Sequence, residues 1–225
     1  MTPSAILVAH GSPADPAPQE AAMQALAVRV AMWLPGWKIR GTTLAKDGAL
    51  DAALAQLHIP LIYPFFMAEG WFTRTNLPRR LAAAGGENLV QLPPFGTDPA
   101  LIALMAAAAR GARSSKGILI AAHGSKVSKT SSQTTYAMIN HLKGLGFSPV
   151  EAGFIEEAPF LAHVARKMQR AVCLPFFALR ASHVVQDIPE ALENVGFQGQ
   201  ILPPIGEDPR TAQLIATALT RAVGQ

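Results

Sequence analysis

Three blocks of this chain occur twice, in the same order, about half a chain apart. "LVAHGS" at 7–12 returns as "IAAHGS" at 120–125, "YPFF" at 63–66 as "LPFF" at 174–177, and "LPPFGTDP" at 92–99 as "LPPIGEDP" at 202–209. The offsets are 113, 111 and 110 residues, a drift that short loop insertions produce. Three matched blocks in one order rule out coincidence, so the chain is two homologous halves. Whatever it folds into must be buildable twice. The expected domains are a lobe over 1–112 and a second over 113–225. They meet near "RGARSSKG" at 110–117, whose Gly, Ser and charges suit an exposed linker.

Each half has the same rhythm. A short apolar run ends at His-Gly-Ser, and a helical segment follows, 19–33 in the first half and 130–143 in the second. A second run ("WKIRGTTLA", "PVEAGFIE"), a helix, a third run ("PLIYPFF", "AVCLPFF") and another helix come next. A fourth run ("NLVQLPP", "GQILPP") precedes a closing helix that starts at Asp-Pro. Asp98 and Asp208 read as N-caps, with Pro99 and Pro209 at the first helical position, where a missing N–H costs nothing. Short apolar strands alternating with helices predict parallel sheets covered on both faces. The expected fold is α/β, with two tandem lobes, each a four-stranded parallel sheet flanked by helices.

Half the residues are hydrophobic and 15% are charged, which fits a globular chain and excludes a disordered one. The single cysteine, Cys173, allows no disulfide within the chain and reads as a buried core residue. No apolar stretch approaches the roughly 20 residues needed to span a bilayer. The N-terminus lacks the basic region of a signal peptide, so a cytoplasmic location is expected, with no membrane partner. The net charge is +4, but the basic residues are scattered, which argues against nucleic acid. A mildly positive cleft equally suits a carboxylated small molecule.

In open parallel sheets, ligands bind beyond the C-terminal ends of the strands, and both His-Gly-Ser segments fall there. Aligning the halves separates them. His183 faces Phe72, with Trp71 beside it, and Asp187 faces Asn76. Glu156 falls near Ala45 and Glu157 near Lys46. The second half thus offers His123, His183 and one of Glu156 or Glu157 at three strand ends, whereas the first keeps only His10. Two imidazoles and a carboxylate can hold a divalent ion with open coordination positions, or can shuttle protons. Imidazole suits Co, Ni, Fe and Zn alike, so the donors do not choose the metal. Trp71 and Phe72, in place of the polar residues, suit an apolar wall against a flat ligand.

Tandem βα lobes, "AAHGS" at 121–125, the "FIE" strand end and "SHVVQDIPEAL" at 182–192 resemble the CbiX-type sirohydrochlorin cobaltochelatases, class II chelatases, in their two-lobed long form. The resemblance covers essentially the whole chain. It implies ATP-independent insertion of a divalent metal, Co²⁺ first and Fe²⁺ or Ni²⁺ as alternatives, into a tetrapyrrole such as sirohydrochlorin, in cobalamin or siroheme biosynthesis. It implies a ligand cleft between the lobes and no organic cofactor, the metal ion being a substrate. His123 and His183 become the metal-binding and catalytic pair, with Glu156 or Glu157 as the acidic residue. His10, Ser125, Arg180, Trp71 and Phe72 become candidates for contact with the tetrapyrrole, and Lys126 and Lys129 for its carboxylates. The assembly expected is a monomer or homodimer. The competing reading is a carrier of tetrapyrrole or metal that has the fold but no turnover.

Overall fold

The computed structural model describes residues 2–112, 116–181 and 183–224, the side chain of His183 excepted. Part of the expected linker, 113–115, lies outside the described residues. The chain divides into two compact units, Met1–Asp98 with Pro209–Gln225, and Pro99–Asp208. The first contains strands β1 (Ser4–Ala9), β2 (Lys38–Thr43) and β3 (Leu61–Pro64), with helices α1 (Ala17–Ala31), α2 (Ala49–Leu54) and α3 (Leu77–Ala83). The second contains α4 (Ala100–Gly111), β4 (Ile118–Ala122), α5 (Thr130–Gly144), β5 (Val150–Phe154), α6 (Leu161–Ala165), β6 (Val172–Pro175) and α7 (Ile188–Glu193). The last helix, α8 (Thr211–Val223), belongs to the first unit. The expected boundary at 112/113 follows the sequence repeat, whereas packing divides the chain at Asp98 and Asp208.

Each unit has a parallel sheet, ordered β2-β1-β3 in the first and β5-β4-β6 in the second. The strand carrying His-Gly-Ser is central in both. Every residue of β1 and of β4 is buried, as a strand covered on both faces must be. Burying Ile6, Leu7 and Val8 contributes about 1.5–3 kcal/mol each for side chains of this size. The repeat extends into the core. Ile6, Val8, Leu50, Ile62, Leu77 and Leu81 cluster in the first unit, and Leu119, Ala121, Leu161, Cys173, Ile188 and Leu192 occupy the matching places in the second. Cys173 stands where Ile62 does and is fully buried, and burial pushes its thiol up to about 12. It is an apolar core residue, as expected.

Two expectations are corrected. Each sheet has three strands rather than four, because the fourth runs make only single bridges, Gln91 to Ile62 and Ile201 to Cys173. Pro93–Pro94 and Pro203–Pro204 follow almost at once, and two successive residues without an N–H cannot extend a ladder. The closing helices also begin later than Asp-Pro suggested. Pro99 caps α4 and Arg210 caps α8, and neither cap makes a side-chain hydrogen bond. The Asp98 carboxylate accepts a hydrogen bond from Arg221 Nη2 at 3.0 Å. No helix among the described residues is long and apolar enough to cross a membrane.

Candidate functional site

The order β5-β4-β6 places His123 at the end of a central strand, where successive connections leave to opposite sides of the sheet. Ligands collect at such switch points. The ladder continues past β4: Ile155 N–H donates to Ala122 O at 3.1 Å and Glu156 N–H to His123 O at 2.9 Å. In the first unit Leu44 N–H donates to Ala9 O and Ala45 N–H to His10 O, both at 2.9 Å. Ala45 therefore matches Glu156, and Lys46 matches Glu157. On the other side Phe176 N–H donates to Ala121 O, and Phe65 N–H to Val8 O, both at 2.7 Å.

Past the third strand the chain makes the same π-helical turn in both units, Phe72–Asn76 and His183–Asp187. Phe72 and His183 thus occupy equivalent backbone positions, and π turns recur at functional sites. The side chain of His183 and the whole of Ser182 lie outside the described residues. Among the described residues no three His, Cys, Asp or Glu side chains form a ready cation cage.

The structure brings His123, Ser125, Glu156 and Glu157 together. Glu157 Oε1 accepts the Ser125 N–H at 2.9 Å, and Lys126 Nζ lies 3.1 Å from Glu156 Oε2. Lys126 is largely exposed, so that ion pair is weak and exchangeable. The Ser125 hydroxyl accepts the N–H groups of Val127 at 3.3 Å and Ser128 at 3.1 Å, a turn that shapes the loop. Tyr136 on α5 packs edge-on against Phe154. Burial first, then the charges of Glu157 and Glu151, push its hydroxyl up. Arg180 is drawn to Glu207, with Nη2 to Oε2 at 2.7 Å and Nε to Oε1 at 3.1 Å. Sequence reasoning missed the contact from Glu157 to the Ser125 N–H. Its only signal was an acidic pair in one half facing Ala-Lys in the other.

The first unit replaces this chemistry with aromatic surface. His10 lies 4.1 Å from Phe72 between ring centroids, and Trp71 meets Phe72 edge-on at 5.1 Å. Trp71 is 56% exposed. Burial, and then the Arg80 guanidinium, lower the His10 pKa below its ordinary 6.5. The unfolded chain therefore binds this proton more tightly than the folded one, so stability is lost as pH falls through about 6.5. From pH 7 to pH 5 the urea midpoint of the wild type is expected to drop more than that of His10→Phe. Parallel pH dependences would assign the loss to another group.

A cavity of about 490 Å³ between α1, β2 and α2 is lined in part by Glu20, Arg40 and Lys46. Two of these charged groups, Glu20 and Arg40, serve the fold. Glu20 accepts from Thr43 N–H at 2.7 Å and Thr43 Oγ1–H at 2.8 Å. Arg40 Nη1 donates to the carbonyls of Ala52, Ala53 and Ala55, at 2.6–3.0 Å, at the end of α2.

Two three-stranded parallel lobes, with a strand-end histidine in each and an acidic pair in one, make a chelatase-like α/β protein. The CbiX family model matches residues 117–222. A solved structure of CbiX, described as the terminal enzyme for biosynthesis of siroheme in denitrifying bacteria, is 46% identical, with TM-score 0.88, covering 98% of this chain and 99% of that one. The chain belongs to the CbiX family. SirB from Bacillus subtilis with Fe³⁺ shares the fold at 13% identity and TM-score 0.78, covering 100% of this chain and 98% of that one. So does the sirohydrochlorin chelatase SirB of Bacillus subtilis subspecies spizizenii in complex with cobalt, at 14% identity and TM-score 0.73, again covering 100% and 98%. A comparison with curated proteins gives no match.

Proposed function

We propose that this protein inserts a divalent metal ion into a tetrapyrrole of the sirohydrochlorin type without ATP. The observation that carries the reading is the clustering of His123, Glu156 and Glu157 at the ends of β4 and β5, in the half whose third connection opens on His183. Imidazole and carboxylate are suitable donors for Co²⁺, Fe²⁺ and Ni²⁺ and leave coordination positions for incoming nitrogens. Two pyrrole protons have to leave as metal–nitrogen bonds form. A neutral histidine or the Glu156 carboxylate, once released from Lys126, is a suitable acceptor. The siroheme assignment of the 46% identical relative favours Fe²⁺ beside the Co²⁺ expected from the sequence.

On this reading His10, Phe72 and Trp71 give the first unit an apolar surface for a flat macrocycle. The test is anaerobic mixing of the protein with sirohydrochlorin and Co²⁺, then Fe²⁺, following the absorbance change of metal insertion. A rate well above that of the protein-free mixture is expected with at least one metal. Tight binding of the tetrapyrrole with no acceleration for Co²⁺, Fe²⁺ or Ni²⁺ would replace the chelatase reading with that of a carrier.

A further inference from the structure

We propose that Glu157 is a positioning residue that fixes the tautomer of His123 through the single peptide group between Gly124 and Ser125. The N–H of that peptide donates to Glu157 Oε1 at 2.9 Å. Its carbonyl, Gly124 O, lies 2.9 Å from His123 Nδ1. A carbonyl oxygen only accepts, so Nδ1 must carry the proton, and in the neutral ring the lone pair then resides on Nε2. A carboxylate on the N–H side polarises the amide and makes its oxygen a stronger acceptor, as linked hydrogen bonds do. One peptide group thus links the acceptor oxygen of Glu157 to the far side of the imidazole.

The packing keeps this link short. Gly124 has φ +73°, and a Cβ on it would lie 2.8 Å from Glu157 Cγ, so the carboxylate-bearing chain rests directly against the turn. Only a residue without a side chain allows that approach.

The first unit supplies an internal control. Gly11 turns with φ +80°, but a Cβ there would meet Thr43 Cβ at 2.8 Å and Ala45 Cβ at 2.9 Å. Lys46 stands in the place of Glu157, and the carboxylate nearby, Glu20, is taken up by Thr43 N–H and Oγ1–H. There His10 Nδ1 is buried and has no hydrogen-bond partner among the described residues. The same His-Gly-Ser backbone therefore leaves its histidine undirected when the acid is missing. The two carboxylates have different partners: Glu156 pairs with Lys126 at 3.1 Å, and Glu157 holds the Ser125 N–H. Supporting partners of this kind orient metal-binding histidines and are typically worth about 10–100-fold in metal affinity.

The inference rests on the reading of His123 as a metal-binding residue, but its test does not need turnover. In metal-free protein with ¹⁵N-labelled histidine, the ring nitrogen shifts of His123, assigned by their loss in His123→Asn, report the tautomer directly. Wild type is expected in the Nδ1–H form. Glu157→Gln keeps an acceptor oxygen for Ser125 N–H and is expected to retain that form. Glu157→Leu is expected to lose it, with Co²⁺ affinity falling about tenfold while the other histidine resonances stay in place. An Nε2–H tautomer in wild type, or an unchanged Nδ1–H population in Glu157→Leu, would overturn the inference. Should the leucine variant not fold, Glu157→Ala, which also removes the acceptor from Ser125 N–H, is read in its place with the same two outcomes. The Nδ1–H form in a protein that inserts no metal would sink the chelatase reading and leave this one standing.

Discussion

His123→Ala is expected to lower kcat/KM for metal insertion on the order of 10³-fold, the loss typical of a group that moves protons in the reaction. His10→Ala is expected to cost tenfold or less, by the same measure. The two residues end equivalent strands and precede the same Gly-Ser, so the comparison isolates what surrounds them. Around His123 are Glu156, paired with Lys126 at 3.1 Å, and Glu157, holding the following peptide. Around His10 are Ala45, Lys46 and the ring of Phe72 at 4.1 Å. An alanine at either strand end leaves the backbone ladder intact, because the histidine carbonyl, not its ring, accepts the neighbouring strand's N–H. Anaerobic rates of tetrapyrrole absorbance change decide the point. Equal losses in the two variants would mean two equivalent sites and would defeat the asymmetry.

Gly206→Ala is expected to destabilise the protein by about 4 kcal/mol or more, the diagnostic extreme for one substitution. A Cβ on Gly206 would lie 1.9 Å from Ala178 O, and one on its counterpart Gly96 would lie 1.8 Å from Met67 O. Both obstacles are backbone, so no rotamer change relieves them. The approach is held by hydrogen bonds, Gly206 N–H to Phe177 O at 3.0 Å and Gly96 N–H to Phe66 O at 2.9 Å. A natural domain has only about 5–15 kcal/mol in hand, so the urea midpoint should collapse. Gly196→Ala is the comparison. It has positive φ but nothing within 4 Å, and about 1–2 kcal/mol covers the backbone penalty alone. Similar costs for the two alanines would show that the chain does not approach the strand end as described.

The repeat made most of the fold legible, because both halves bury the same positions; Ile62 and Cys173 are one core place filled twice. The alignment on Pro-Phe-Phe also held, since Phe72 and His183 each open a π turn. The misses have local causes. An apolar run before Pro-Pro looks like a strand until one asks where its N–H groups would go. Asp-Pro reads as a cap and a first helical residue, but α4 and α8 begin one and two residues past their prolines. The separate partners of Glu156 and Glu157 were beyond sequence, because one residue of register decides which pairs with Lys126 and which reaches the Ser125 N–H. The companionship of α8 with the first unit was hidden for a different reason. Both closing helices come from one repeat, so nothing in their pattern says which sheet either will choose.

That choice bears on how such a chain can be cut or joined. Residues 99–208 are a continuous segment that holds one sheet and all the helices grouped with it, its closing helix coming first instead of last. The other unit is the same set of parts interrupted in the middle and completed by the chain's end. In genetic terms, this is the connectivity left when two half-length chains that traded their final helices are fused head to tail. A truncation at the repeat boundary separates each sheet from a helix grouped with it, whereas cuts at both Asp-Pro steps release residues 99–208 with the second sheet and all its helices together.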